Sequence, residues 1–433
     1  MTKHIYVSIF VCLVLALLGF IFIRNLIDFP VYYAAGQSLI KGRTDLYAPD
    51  FALGRVMDYR YLPFFLVAFT PLWLIPYSIS AYIWYLLSVI EIAGCLVIIS
   101  RIFPGLADSK KAWLLIALST LQYLVMAVHY GNAHLLAVFL LFASLYSFQK
   151  GREGIAGLLM AVAITIKLTP FLLLPYFVLK RRWRMLSSVC VLLIIINFVP
   201  SVYFGISGNI KLIENWYEHV ISSQDFHEDN GPINLSLKGE LRRYVSPVDY
   251  SKRVDGDVQY PAINFASLTR EDLLWAWIIG CAILFVAVLL LIWFERASPQ
   301  AEIEGNNRIN GRFALEMSLM LCLMLLVGPL TSKIYFVTLL WPIACLADIA
   351  VRSRSREAGI AMRVLILIAI VNSVLPLLPG RSIQRLLLVV GIDFYVNLLA
   401  MSALAFVLIS SQRLIRSQSG EPQMRVQSAA KMP

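Results

Sequence analysis

A carboxylate, Asp28, stands in the stretch Arg24-Asn25-Leu26-Ile27-Asp28-Phe29-Pro30-Val31-Tyr32-Tyr33, just past a long apolar run. A carboxyl placed there is half buried yet within reach of water, which suits a general base that must take a proton from a hydroxyl. It is equally suited to cap the helix expected to run to about Ile40, with Pro30 in the first turn. The two roles are compatible. Lys167 is the second such residue, in Ile164-Thr165-Ile166-Lys167-Leu168-Thr169-Pro170-Phe171. A lysine inside an apolar run costs about 2.5–3.5 kcal/mol on insertion scales, so it must snorkel, pair or bind an anion. Both basic flanks are distant and Pro170 loosens the chain beside it, which favours an anionic ligand over snorkelling.

Three further breaks carry polar groups. In His129-Tyr130-Gly131-Asn132-Ala133-His134 the two histidines do not share a helix face, and no acid or cysteine lies near in sequence. No metal is therefore expected. Asn132 and His134 line a cavity or belong to a plain loop. Gly328-Pro329-Leu330-Thr331-Ser332-Lys333-Ile334-Tyr335 puts a cation at the end of an apolar run. Lys333 either anchors in the interface or meets a phosphate as a point charge. In the stretch Asn230 to Arg243, helical spacing follows Asn234, and Arg242-Arg243 could fork onto an anion or ride on a solvated loop helix. The chain has no G-x-x-x-x-G-K-[ST], H-E-x-x-H or G-x-S-x-G motif, so ATP-driven transport, zinc hydrolysis and a serine nucleophile are not expected. Without a nucleotide cradle, an activated donor has to arrive another way, and a membrane-dissolved one fits.

The elements that hold these residues are set by composition. Of 433 residues, 59% are hydrophobic and 15% charged, too apolar to coat several soluble domains. The formal charge of +11 lies in short clusters between apolar runs, which is the pattern of cytoplasmic loops and gives no reason to expect nucleic acid. The six cysteines stand singly in apolar stretches and read as small hydrophobes. The first run, Ile5 to Ile23, has the features of a retained signal anchor. Further runs lie near 62–77, 81–102, 112–128, 133–149, 154–179, 185–204, 272–294, 313–328, 334–351, 362–378 and 386–410. Some are too short for a straight span, which points to an internal site.

The expected fold is an all-α polytopic membrane protein of about 12 spans. Residues 1–410 form one transmembrane domain, and 411–433 a disordered cytoplasmic tail. The Lys180–Arg184 cluster, the arginines from Arg352 to Arg363 and the tail place both termini in the cytoplasm. The long loops, about 24–61 and 206–271, face outward; the second has seven basic against ten acidic residues. The stretch 295–312 reads as a flexible connector.

Taken in order, these breaks resemble the integral-membrane glycosyltransferases of the GT-C fold, and most closely glycosyltransferase family 87. The resemblance rests on Asp28-Phe29-Pro30-Val31-Tyr32-Tyr33-Ala34-Ala35, Tyr61-Leu62-Pro63, Lys167-Leu168-Thr169-Pro170 with Lys180-Arg181-Arg182-Trp183, and Asn234-Leu235-Ser236-Leu237-Lys238-Gly239 with Arg243. The family's glycine–glutamine–x–asparagine stands here as Gly131-Asn132-Ala133-His134, and no histidine follows Gly328-Pro329. The resemblance implies transfer of a hexose, mannose first, from a polyprenyl-phosphate donor to a glycolipid or cell-envelope glycan. It implies an inverting, metal-independent reaction without a cofactor, on the extracytoplasmic face of the inner (plasma) membrane. Asp28 is then the base, Lys167, Lys333 and Arg243 are the phosphate contacts, and Tyr32, Asn132, His134, Asn234 and Tyr335 are substrate contacts. The rival reading is a glycolipid flippase, which predicts paired intramembrane charges and repeat symmetry.

Overall fold

Proline and glycine decide where the apolar runs become helices. The computed structural model describes residues 17–43, 46–47, 59–222, 231–247, 254–255, 258–294, 305–352 and 355–419. The first half of the expected signal anchor, most of the 295–312 connector and the tail beyond 419 lie outside them. In chain order the helices begin with α1 (Leu17–Asn25), α2 (Phe29–Ile40), α3 (Pro63–Ala68), α4 (Thr70–Trp73), α5 (Tyr77–Ile102) and α6 (Lys110–Tyr130). Then come α7 (His134–Gln149), α8 (Glu153–Ile166), α9 (Leu174–Leu179), α10 (Trp183–Phe198), α11 (Ser201–Trp216) and α12 (Leu237–Val245). The last six are α13 (Arg270–Phe294), α14 (Gly305–Val327), α15 (Leu340–Arg352), α16 (Arg356–Val374), α17 (Arg381–Val390) and α18 (Ile392–Ser419). A two-residue antiparallel pairing of Val254–Asp255 with Val258–Gln259 is the only strand pairing among the described residues.

Local chemistry explains the boundaries. Prolines occupy the first turn of α3 and α4 and of the 3₁₀ turn Thr169–Leu173 that leads into α9, where a missing N–H costs nothing. Ser109 and Ser355 cap α6 and α16 by accepting the N–H of Ala112 and of Ala358, each at 3.2 Å. Gly131 ends α6 in the left-handed region, φ +62°. A side chain there would also press on Leu26 and Phe29, 3.0 and 3.1 Å from where its Cβ would stand.

Among the described residues six helices are long and apolar enough to cross a membrane, or up to eight if two sharply bent pairs each count as one span. The expected count of about twelve is not confirmed. The bent pairs are α1 with α2, at 73°, and α10 with Ser201–Ser222, at 101°. The runs near 62–77, 133–149 and 154–179 fold as short helices. At 1.5 Å per residue, the 16 residues of α7 and 14 of α8 fall short of a hydrocarbon core of about 30 Å. The region 62–102 holds one long helix, α5, preceded by the short α3 and α4. Helix α14 begins at Gly305, within the stretch 295–312, and α18 continues to Ser419. Outward-facing apolar side chains of α13, among them Trp275, Ile279, Ile283 and Val286, are exposed, as a hydrocarbon environment allows. The five described cysteines are free.

Two hydrophobic clusters form the interior. The larger joins α5 to α10 with α13 to α16 and α18; the smaller joins α2, α3 and α4 to Trp84, Ala133, Ala137, Ile166 and Leu212. The basic loops gather at one end. Gly105 N–H donates to Asp348 Oδ1 at 2.9 Å, and Arg352 pairs with the same carboxylate at 2.7 Å. That puts the Asp108-Lys110-Lys111 turn beside Arg352. Buried Glu316 accepts from Lys180 at 2.8 Å, Arg312 at 3.0 Å and Tyr176 at 2.7 Å. The C-terminus of α6, the N-terminus of α7 and the break after α8 lie at the opposite end.

Candidate functional site

The residues at that opposite end are brought together by backbone before any side chain acts. The N–H groups of Ile27 and Asp28 both donate to the carbonyl of Tyr130, at 3.2 and 2.8 Å. This clamps the α1–α2 bend to the end of α6. Asp28 occupies the N-cap position of α2, but its side chain makes no capping bond. Its Oδ2 instead accepts from Asn132 Nδ2 at 2.6 Å. Asn132 cannot turn away, because its Oδ1 accepts the His134 N–H at 2.7 Å at the start of α7. One carboxamide thus meets the first N–H of α7 on one side and orients a carboxylate on the other.

Burial raises the Asp28 carboxyl above its ordinary range, against the opposing pull of the Asn132 hydrogen bond and the nearby Lys167 charge. Lys167 is the residue after α8 and is extended, with φ −143° and ψ 125°. Its Nζ sits 3.3 Å from the centre of the Tyr335 ring. Tyr335 lies in the 3₁₀ turn Lys333–Leu339. His134 packs its ring on that of Tyr335, centroids 4.6 Å apart, and its Nε2 lies 3.2 Å from the Tyr335 carbonyl oxygen and 3.3 Å from Thr338 Oγ1. Tyr32 Oη lies 2.8 Å from Tyr61 Oη and accepts the Ala133 N–H at 3.3 Å. Trp84 donates to the Gly131 carbonyl at 2.9 Å and packs edge-on to Tyr32.

Asp28, Tyr32, Asn132, His134, Lys167 and Tyr335 therefore share one site, where the two hydrophobic clusters meet. Tyr61 belongs to it as well, since its hydroxyl lies 2.8 Å from that of Tyr32. The sequence signal for Tyr61 is the Tyr61-Leu62-Pro63 stretch of the resemblance, which assigned it no role.

Three expected contacts are held elsewhere. Lys333 pairs with buried Asp393 at 3.5 Å, and Tyr123 donates to the other oxygen of that carboxylate at 2.8 Å. Arg243 is fully buried. Its Nη1 donates to the carbonyls of Pro232 and Asn234, at 3.2 and 2.6 Å, and its Nη2 to the Glu240 carboxylate. Burial pushes Glu240 up to about 7, with Arg243 pulling the other way. Asn234 staples this loop to the Gly328 break. Its Nδ2 donates to the Pro329 carbonyl at 3.0 Å, and its Oδ1 accepts the Thr331 N–H at 3.1 Å. Arg243 and Asn234 thus form a clasp between α12 and the segment leading to Tyr335. No group of three or more His, Cys, Asp or Glu side chains gathers among the described residues.

A carboxylate set by an amide, a nearby cation resting on an aromatic face, and hydroxyls around them can accept a proton and offset a forming anion. Comparison with known proteins bears on that chemistry. Residues 59–329 match glycosyltransferase family 87. The chain is 30% identical over 198 residues, 42% of its length and 44% of the relative's, to the polyprenol-phosphate-mannose-dependent alpha-(1-2)-phosphatidylinositol pentamannoside mannosyltransferase of Mycobacterium tuberculosis (strain CDC 1551 / Oshkosh). A protein of the same description from Mycolicibacterium smegmatis (strain ATCC 700084 / mc(2)155) is 29% identical over 239 residues, 52% of this chain and 53% of that one. The chain spans about half the length of the curated relatives it matches. No solved structure matches it.

Proposed function

Because the chain belongs to glycosyltransferase family 87, we propose that it moves a hexose, mannose first, from a polyprenyl phosphate to a lipid-linked or cell-envelope glycan. The observation that carries the reading is the Asp28 carboxylate fixed by Asn132 within range of the Lys167 charge. Asp28 removes the proton from an acceptor hydroxyl as its oxygen attacks the anomeric carbon. The bond from that carbon to the phosphate oxygen breaks, and the lipid phosphate leaves with the electron pair. Configuration inverts in this single displacement. Lys167 offsets the charge that develops on the leaving phosphate. Tyr32, Tyr61, Asn132 and His134 shape the pocket for the sugars.

The basic loops gather at the end opposite this site, which supports a site on the extracytoplasmic face of the inner membrane. Residues 1–410 are read as one GT-C-like transmembrane domain. Purified protein incubated with a panel of polyprenyl-phosphate sugars and a membrane glycolipid extract as acceptor tests the proposal. Release of lipid phosphate with polyprenyl-phosphate mannose, lost in Asp28→Asn, is expected. Movement of a glycolipid across vesicles without lipid-phosphate release would replace the transferase reading with a flippase.

A further inference from the structure

A carboxylate and an ammonium in one partly buried pocket attract each other, and contact between them would disable both. A paired Asp28 would be a weak base, and a neutralised Lys167 would offer little to a leaving phosphate. Among the described residues neither makes an ion pair. Asp28 is held by Asn132, and Lys167 rests on the face of Tyr335. The Tyr335 ring is fixed in turn: His134 packs on it, and His134 Nε2 meets its backbone carbonyl. The Tyr335 hydroxyl makes no hydrogen bond among the described residues, so the ring face is the part in use.

We infer that Tyr335 is a positioning residue, whose ring holds the Lys167 ammonium away from Asp28 so that base and cation stay separate for opposite ends of the substrate. The inference rests on the reading of Asp28 and Lys167 given above, and it adds a reason for an aromatic residue at this point of the chain. The titratable groups facing Asp28 are Tyr32 from α2, Tyr61 ahead of α3, Tyr130 from α6 and Lys167 after α8. Lys167 is the only cation in this set. Removing the ring therefore leaves Asp28 as the anion toward which Lys167 moves.

The test is an infrared pH titration of full-length protein in lipid nanodiscs. The Asp28 carboxyl band is assigned by its loss in Asp28→Asn. Tyr335→Leu is expected to lower the Asp28 midpoint by about one pH unit or more, the effect of a newly formed contact ion pair. Tyr335→Phe, which keeps the ring, is expected to hold the wild-type midpoint. Adding Lys167→Gln to Tyr335→Leu is expected to abolish the drop. An unchanged midpoint in Tyr335→Leu, or a drop that survives Lys167→Gln, overturns the inference. The titration needs no substrate. If the midpoints move as expected while no sugar phosphate turns over, the proposed activity fails and the positioning role stands.

Discussion

Asp28 has a second consequence, in the pH dependence of the reaction. Its carboxyl is raised by burial, and the proposed role as base needs it ionised. Activity is therefore full above the raised value and falls as pH drops through it. The acid limb of kcat/KM is expected above the ordinary carboxylate range, and a limb near pH 4 would show that another group is the base. Asp28→Asn is expected to cut turnover by about 10²–10⁴-fold. For stability the sign is opposite. A raised carboxyl favours the fold below its unfolded value, and that contribution is lost as pH rises through the folded one. Asp28→Asn should therefore melt no lower than wild type at neutral pH, as thermal unfolding would show. Most of this site was legible in the sequence because Asp28, Asn132, His134 and Lys167 each interrupt an apolar run. Tyr61 entered only as part of the Tyr61-Leu62-Pro63 stretch of the resemblance, with no role of its own. Nor could spacing show that Arg243 Nη1 is taken by carbonyls of its own loop and Nη2 by Glu240.

At the scale of elements, the site depends on how helices end. Gly131 closes α6 in a conformation that costs other residues about 1–2 kcal/mol, and a side chain there would meet Leu26 and Phe29. Gly131→Ala is expected to lower stability by at least that amount. It should also reduce turnover, since the displaced segment carries Asp28. The clasp of α12 behaves differently. Arg243→Met leaves the buried Glu240 carboxylate without its partner, a change that typically costs about 3–5 kcal/mol. The expected signature is a lower melting temperature with an unchanged KM for the donor in the molecules that remain folded. A raised donor KM at unchanged stability would return Arg243 to the phosphate contacts. Helix positions were readable from apolar runs and prolines. Their lengths across the membrane were not, because hydropathy does not distinguish a full span from a short helix supported by its neighbours.

For the whole molecule, the two ends make a topological claim that labelling can check. In a background lacking the native cysteines, cysteines at Ser109 and Arg181 are expected to react only with reagent supplied from the cytoplasmic side. A cysteine at Gly42, in the turn after α2, is expected to react only from the outside. Labelling of Ser109 and Gly42 from the same side would refute the arrangement. The site's construction also bears on how the protein is made. Asp28 and Asn132 are 104 residues apart, and Tyr335 reaches back across 201 residues to His134. During synthesis the carboxylate is inserted long before the amide that orients it and the ring that keeps Lys167 from it. A nascent chain that stalls before the Lys333–Leu339 turn thus holds an acid and a base free to collapse onto each other. With Asp28 as base and Tyr335 as the positioning residue proposed above, competence is expected only once the Lys333–Leu339 turn has been made.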